Sequence, residues 1–306
     1  MNTFNRFVTF CGTYAVVVLL LGCQSHSVSK RELVAPSEIE NVIILPDYPQ
    51  NVPEDRLLIT TRYIGDSIFY KELGLTDSGV AIHGNEVSFL INTKDLEDRL
   101  LYREIIGGGP HIWLSKAFSE ELFPWSSKGD DSGLNFSVSA AVPYVLLTDG
   151  EGNISKTGFP AEKAPVTQLS FGFYLYDTAS EVTFAYIIPF YESRGLYRET
   201  AHANDTFVNF VSTPLYHTSR FIDKVNGSSE LQSEPFDKKK NFIVNISKNN
   251  LINAILSSND HRLSKDLSAY RLTMCGILFE LPNYVRNGHN TSKVILENFS
   301  VNIYEK

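Results

Sequence analysis

The apolar side chains of this chain recur at every second residue, and this period constrains the fold more than any other feature. Residues 168–175 alternate apolar with polar or aromatic side chains, and residues 182–188 repeat the pattern after a turn-like segment at 177–180. Successive side chains of a β-strand point to opposite faces of its sheet, so each segment predicts a strand with one apolar face. Together the two segments predict a hairpin. The alternating apolar residues are Leu169, Phe171, Phe173, Leu175, Val182, Phe184, Tyr186 and Ile188.

Further strands follow toward the end of the sequence. Residues 241–247 and 295–304 alternate in the same way, whereas the segment from Tyr270 to Leu281 is apolar at both parities. The second pattern predicts a central strand that is covered on both faces. Helical spacing is found at Asp95–Ile106 and at Asn250–Ser257. Each apolar sheet face must be buried against another sheet. We therefore predict an all-β fold, an antiparallel β-sandwich with a few short helices.

This order of strands resembles the jelly-roll sandwiches of carbohydrate-binding modules. The resemblance rests on hairpins, on the covered strand at 270–281 and on a closing strand at 294–304, which together span about half of the chain beyond its leader. It implies a jelly-roll-like architecture. It supports function only as an expectation, because one fold hosts many functions.

The first 23 residues have the pattern of an export signal. Arg6 is followed by a mostly apolar run from Phe7 to Leu21 and then by Gly22-Cys23. A run of about 15 residues is shorter than the roughly 20 that a membrane-spanning helix needs, so a cleaved signal is favoured. The segment Leu20-Leu21-Gly22-Cys23 resembles the lipobox of bacterial lipoproteins.

That second resemblance implies a location and a division of the chain. A signal peptide at 1–22 would be removed, and Cys23 would carry the acyl chains that bind the lipid bilayer, where several chains suffice for stable anchoring. Gln24 stands where a lipoprotein retained in the inner membrane often has Asp, so the expected location is the outer membrane. Residues 23–40 are polar and lack periodicity, which predicts a lipidated tether. Residues 41–306 form the predicted sandwich domain, within which 41–92 is a candidate for a small N-terminal module.

The net charge argues against a nucleic-acid-binding protein, and the cysteine content argues against a fold held by disulfides. The net charge is −8 at pH 7 with neutral histidines, and an acidic body repels the phosphates of nucleic acids. Of the three cysteines, Cys11 lies in the signal and Cys23 is the lipid site. Only Cys275 remains in the folded body, so we predict no internal disulfide there and a buried Cys275 that packs as a small apolar side chain.

One loop has the composition of a cation site. Asp149, Glu151 and Asn153 alternate with glycines, and Asp130 and Asp131 could join them in a structural calcium site. The spacing departs from an EF-hand loop, and a solvated hairpin loop is the simpler interpretation. No zinc motif occurs in the sequence, so we expect no cofactor beyond this candidate calcium.

A short motif at 65–68 resembles the nucleophile block of the Gly-Asp-Ser-Leu esterases. The residues are Gly65-Asp66-Ser67-Ile68, in which Ser67 would be the nucleophile. No Asp lies three residues before any His, as that family's base requires, and the strand pattern opposes its α/β fold. We therefore interpret the segment as a turn, since Gly, Asp and Ser are turn residues.

Aromatic and polar residues near predicted strand ends are the candidate ligand-binding set. Aromatic planes stack on the C–H faces of sugars, while Arg, Glu and Asn side chains bind hydroxyl groups. For each aromatic residue taken singly, a place in the core is the commoner outcome. The predicted set comprises Trp113, Trp125, Tyr191, Arg194, Tyr197, Glu280, Asn283 and Tyr284.

These observations support three hypotheses of function. The leading one is a non-catalytic outer-membrane lipoprotein whose sandwich binds a polysaccharide or another component of the cell envelope. The second is an enzyme that acts on polysaccharide, with carboxylates such as Glu192, Glu199 or Glu280 as acid and base. The third is a structural or assembly partner of an outer-membrane complex.

Overall fold

A computed structural model of the chain describes two β-sheets that enclose one apolar core. The described residues are 29–45, 52–62, 78–95, 110–127, 132–156, 165–193, 203–205, 210–213, 234–257, 260–281 and 287–305. Within them the strands are β1 (Ser29–Val34), β2 (Ile43–Leu45), β3 (Leu57–Arg62), β4 (Gly79–His83), β5 (Glu86–Asn92), β6 (His111–Leu122), β7 (Ser132–Thr148), β8 (Ile154–Ser155), β9 (Gln168–Asp177), β10 (Val182–Glu192), β11 (Ala203–Asp205), β12 (Phe210–Thr213), β13 (Phe236–Ser247), β14 (Tyr270–Glu280) and β15 (His289–Glu305). The α-helix α1 spans Lys248–Ser257, and 3₁₀ turns span Pro36–Asn41, Thr93–Asp95 and Leu267–Ala269.

Seven strands form the first sheet. Its order is β13-β7-β15-β5-β4, with β1 paired to β15 and β8 paired to β7, and all of these pairings are antiparallel. The second sheet has eight strands in the order β11-β12-β10-β9-β14-β6-β3-β2. Its central ladders are antiparallel, while β2 with β3 and β10 with β12 pair in parallel near its two edges.

Phenylalanine rings join the two sheets across the core. Phe136 of β7 packs edge-on against Phe171 and Phe173 of β9, with ring centroids 4.9 and 4.3 Å apart. Phe89 of β5 stacks on Phe279 of β14 at 6.3 Å. Aromatic pairs of this kind stabilise a core beyond the burial of their area. The predicted all-β sandwich is therefore confirmed.

The two strongest strand predictions are also confirmed. β9 and β10 form the expected antiparallel hairpin, and the buried carboxylate of Asp177 accepts hydrogen bonds from Ala179 N and Ser180 Oγ in the turn. β14 lies between β9 and β6 in the interior of its sheet. Met274 and Cys275, which point to opposite faces, are both buried, as the apolar pattern at both parities predicts.

Cys275 is a buried free thiol at a core position. Burial raises its pKa above the ordinary value for cysteine. This agrees with the prediction of a small apolar side chain and leaves the thiolate, the nucleophilic form, disfavoured.

Helices are few among the described residues, and α1 corresponds to the predicted segment at 250–257. Of the other predicted segment, 95–106, only Asp95 falls within the described residues, where it ends a 3₁₀ turn. Across the residues that the structure describes, no helix is long and apolar enough to cross a membrane.

Residues 29–40 of the predicted tether belong to the sandwich, and residues 23–28 lie outside the described residues. β1 already pairs with β15 from Ser29 onward, and a 3₁₀ turn follows at Pro36–Asn41. Among the described strands β1 pairs with β15 alone, so its polar residues at 29–32 are exposed. Val34 and Ile39 are fully buried. Within the described residues, the sandwich therefore begins twelve residues before the predicted boundary at 41.

The segment 41–92 contributes to both sheets. β3 pairs with β6 in the eight-stranded sheet, and β5 pairs with β15 in the seven-stranded sheet. Leu57, Ile59, Val87 and Phe89 belong to the common core. These strands are thus continuous with the rest of the sandwich.

Candidate active site

The outer face of the eight-stranded sheet brings two glutamates into one row. Gln168, the first residue of β9, pairs with Glu192 at the end of β10 on one side and with Glu280 at the end of β14 on the other. Residues paired directly across a sheet share a face. Glu192, Gln168 and Glu280 therefore project from the same surface; we call them the carboxylate row.

The neighbours of the carboxylate row fix the direction in which it points. Tyr191 contacts Phe236 of the opposite sheet at 6.1 Å between ring centroids, and Phe279 stacks on Phe89. Both rings face the core, so the adjacent residues Glu192 and Glu280 face outward. Gln168 agrees with this assignment, since its amide donates to the outward Ser170 Oγ at 3.0 Å.

The spacing of the glutamates suits a pair that acts on one bond. They lie on strands separated by one intervening strand, so their backbones are about 10 Å apart. Glutamate side chains can shorten or lengthen that separation by several ångströms. Two carboxyl groups roughly 5 to 10 Å apart are the arrangement that glycoside hydrolysis requires.

Burial distinguishes the two carboxylates. Glu192 is 2% exposed, whereas Glu280 is half-buried. Glutamate is rarely buried to this degree in a folded protein unless its charge is compensated or used. His111, the first residue of β6, is paired directly opposite Glu280 and extends the row by one more titratable side chain.

A buried hydrogen-bond network holds the strand ends that carry the row. Thr167 N donates to Ser193 Oγ at 2.9 Å and Ser193 N donates to Thr167 O at 3.0 Å, which closes the ladder beside Gln168 and Glu192. Asn290 of β15 joins this pair to the other sheet, because its Nδ2 donates to Thr167 Oγ1 at 2.8 Å. Satisfied buried networks specify one geometry. The network therefore fixes the backbone positions at the strand ends that carry the glutamates.

Trp113 lies on the same outer face, one row from Glu280. Its neighbours on β6, Ile112 and Leu114, belong to the core, and its ring packs against Tyr174 with centroids 5.2 Å apart. The indole is 6% exposed, and its Nε1 has no hydrogen-bond partner among the described residues. An unpaired buried N–H is energetically costly, so the packing around this indole must offset that cost.

Two paired glycines make room for this indole. Gly172 of β9 and Gly276 of β14 lie side by side, and a Cβ atom placed on Gly276 would come within 2.6 Å of Trp113 Nε1. Glycine is the residue that permits such a close approach. The glycine pair therefore fixes the indole against the sheet, next to the half-buried Tyr174.

The predicted ligand-binding residues separate into three groups. Trp113 and Glu280 share the outer face just described. Trp125 and Tyr191 lie in the core, the commoner outcome for an aromatic residue taken singly, and Trp125 Nε1 donates to Ile246 O at 2.9 Å. The predictions that lie outside the described residues are Cys23, Ser67, Arg194, Tyr197, Glu199, Asn283 and Tyr284.

Sequence reasoning did not identify Gln168, Ser170 or His111 as part of the site. The alternation at 168–175 predicts that Gln168 and Ser170 lie on the face opposite Phe171, so the sequence pattern already shows that these two residues share a face. Nothing in the sequence places them beside Glu192 and Glu280.

The candidate calcium loop forms a compact turn. Asp149 Oδ1 accepts from Glu151 N at 2.9 Å and Asn153 N at 2.8 Å, and Oδ2 accepts from Asn153 Nδ2 at 2.9 Å. Among the described residues no cluster of three or more His, Cys, Asp or Glu side chains could hold a metal. Asp130 and Asp131 lie outside those residues, and the calcium site stays a prediction.

Two solved structures are similar to this chain over most of its length. A structure from a comparison of family 12 glycoside hydrolases has a TM-score of 0.38 and 12% identity, and the match covers 72% of this chain and 84% of that one. The xyloglucanase domain of NopAA, a type three effector from Sinorhizobium fredii in complex with cellobiose, has a TM-score of 0.30 and 10% identity, with 71% and 80% covered.

No protein-family model matches the sequence. No curated protein matches it either.

Proposed function

We propose that this chain hydrolyses a neutral polysaccharide on the outer face of its eight-stranded sheet, with Glu192 and Glu280 as the reacting carboxyl groups. The observation that carries the proposal is the carboxylate row, in which both glutamates pair with Gln168 and face the same side. One carboxyl group would protonate the leaving glycosidic oxygen, and the other would attack the anomeric carbon or activate a water molecule.

Two features of the same outer face support a sugar substrate. Tyr174, which packs on Trp113, supplies half-buried aromatic surface, and Gln168, in the row itself, supplies an amide that can bind hydroxyl groups. The net charge of −8 disfavours anionic polymers. A neutral glycan satisfies both conditions.

Hydrolysis assays with the full chain and two variants test the proposal. Release of reducing ends is measured on a panel of neutral polysaccharides, including xyloglucan, xylan, mixed-linkage glucan and starch. Glu192→Gln and Glu280→Gln should each lower kcat at least about 100-fold, since each removes a proton-transferring or nucleophilic group. Glu151→Gln, at the exposed tip of the Asp149 loop, is the matched control and should retain activity.

Two results would contradict the enzyme proposal. Hydrolysis that survives both glutamine substitutions would remove the carboxylate row from the reaction. Tight glycan binding by the wild-type chain without any turnover would favour a binding module instead. Circular dichroism and thermal unfolding of each variant separate loss of chemistry from loss of fold.

We also propose that the chain is a lipoprotein of the outer membrane, anchored through Cys23. The support is the lipobox-like Leu20-Leu21-Gly22-Cys23 after a short apolar run. Mass spectrometry of the chain purified from membranes should find Cys23 as the first residue with its acyl chains attached. An intact leader with an unmodified thiol would overturn this proposal without affecting the hydrolysis assay.

A further inference from the structure

β1 and the carboxylate row lie at opposite ends of the seven-stranded sheet's central strand. Near one end of β15, Tyr304 pairs with Lys30 of β1. Near the other end, Asn290 bonds to Thr167, which precedes Gln168. Fourteen residues of strand separate Asn290 from Tyr304, or about 40 Å once the bulge between Glu297 and Ser300 of β15 is allowed for.

The eight-stranded sheet gives an independent measure of the same separation. Arg31 of β1 forms an ion pair with Glu120 near the end of β6, whereas His111 at the start of β6 is paired with Glu280. Glu120 lies in the bulge between Ala117 and Leu122, so the strand from His111 to Glu120 spans about 25 Å. Both sheets therefore place β1 far from the carboxylate row.

The chain available for a tether is short. Six peptide bonds separate Cys23 from Ser29, the first residue of β1, and a fully extended segment of that length reaches about 20 Å. A lipid on Cys23 would therefore hold the β1 end of the sandwich within that distance of the bilayer surface. The carboxylate row lies farther from Ser29 than the tether can reach.

The broad outer face of the seven-stranded sheet is unsuited to lie against lipid. Its side chains form polar pairs, among them Asn135 with Asn245 at 2.6 Å and Ser137 with Ser300 at 2.8 Å. Amides and hydroxyls lose hydration when they enter an apolar phase. A flat orientation on this face is therefore disfavoured relative to attachment by one end.

The end that carries β1 also carries α1. Ser247, the residue before α1, pairs with Gly133, which pairs with Tyr304, so the helix starts in the same row as Lys30. Leu256 in the last turn of α1 is 53% exposed. An apolar side chain and a nearby lysine are the residue types that favour a membrane interface.

We infer that the end of the sandwich formed by β1 and α1 faces the lipid bilayer and that the carboxylate row is held away from it, about 25 to 40 Å from β1. This inference rests on the proposed lipid at Cys23, and it uses the proposed function only to name the site. The site then acts on polymer that stands off the membrane surface rather than on sugars attached to lipid headgroups.

Fluorescence quenching by lipid tests the orientation. Two exposed apolar residues give matched label positions: Leu256 at the α1 end and Ile154, 67% exposed, in β8 beside the Asn290 end. Leu256→Cys and Ile154→Cys in the full, lipid-modified chain are labelled with the same fluorophore. Cys275 is fully buried and does not compete for the label. The proteins are incorporated into vesicles of phosphatidylethanolamine and phosphatidylglycerol that carry a headgroup-attached quencher.

The label on Leu256→Cys should be quenched several-fold more strongly than the label on Ile154→Cys. In chains that start at Gln24, which lack both the leader and Cys23, neither label should be quenched, because the anchor is then absent. Equal quenching at the two positions, stronger quenching on Ile154→Cys, or no quenching at either would overturn the inference. Hydrolysis of soluble polysaccharide by the same samples reports separately on the proposed function.

Discussion

At the scale of single residues, Gly276 is the position where backbone and site depend on each other most directly. A Cβ atom there would lie 2.2 Å from Leu114 O and 2.6 Å from Trp113 Nε1. The carbonyl oxygen belongs to the sheet ladder and cannot move without disturbing it. Gly276 therefore keeps β14 close to β6 and keeps the indole in place.

We predict that Gly276→Ala lowers the free energy of unfolding by about 3 kcal/mol, because overpacking against backbone is relieved only by strand displacement. Gly172→Ala is the matched control, since its Cβ would meet only the side-chain atoms of Ile187 at 3.2 Å and Trp113 at 3.4 Å. We expect a loss of about 1 kcal/mol there. Urea unfolding of both variants measures the difference, and equal losses would contradict the assigned geometry.

The residue scale also shows where sequence reasoning succeeded and where it failed. Phe171 and Phe173 were predicted correctly as core residues because their strand alternates without interruption. Tyr191 was misplaced because the bulge between Pro189 and Tyr191 shifts the parity, so that both Phe190 and Tyr191 face inward. A bulge inserts a residue that no two-residue pattern records.

At the scale of elements, β1 was missed for a physical reason. Its residues 29–32 are polar and exposed, since a strand at the open side of a sheet buries little, and only Leu33 and Val34 enter the core. A polar segment of this kind has the composition of a linker. Its partner β15 lies about 270 residues later, beyond any local pattern, so the pairing could be found only in three dimensions.

We predict that β1 contributes to the stability of the whole sandwich. A chain that starts at Ala35 loses the backbone hydrogen bonds between β1 and β15. It also loses the buried side chains of Leu33 and Val34. Compared with a chain that starts at Ser29, its free energy of unfolding should be lower by about 3 kcal/mol, the scale of burying two aliphatic side chains. Thermal and urea unfolding of the pair measure the effect. Equal stabilities would show that β1 is not part of the folded body.

At the scale of the whole molecule, the candidate site is assembled from distant parts of the sequence. Gln168, Glu192 and Glu280 come from three strands, and their shared row depends on two strand registers. The sequence identified the glutamates as candidate carboxylates and predicted β10 and β14. Register depends on packing between strands, so the meeting of the two glutamates could not be predicted from one sequence.

We predict one cooperative unfolding transition for the sandwich. A single cluster of buried residues spans both sheets and includes members of β3 and β5 as well as β14 and β15. Differential scanning calorimetry should therefore show one endotherm with equal calorimetric and van't Hoff enthalpies. Two resolved transitions would instead indicate that residues 41–92 unfold as a separate module.

The position of β15 has a consequence for how the protein matures. β15 is the last strand of this sequence, yet it lies in the middle of the seven-stranded sheet, bonded to β7, β5 and β1. Until these residues have been synthesised, three other strands lack their common neighbour. The sheet is therefore completed only when residues 289–305 dock between strands that precede them in the chain, and the facing edges of β1, β5 and β7 stay open until then.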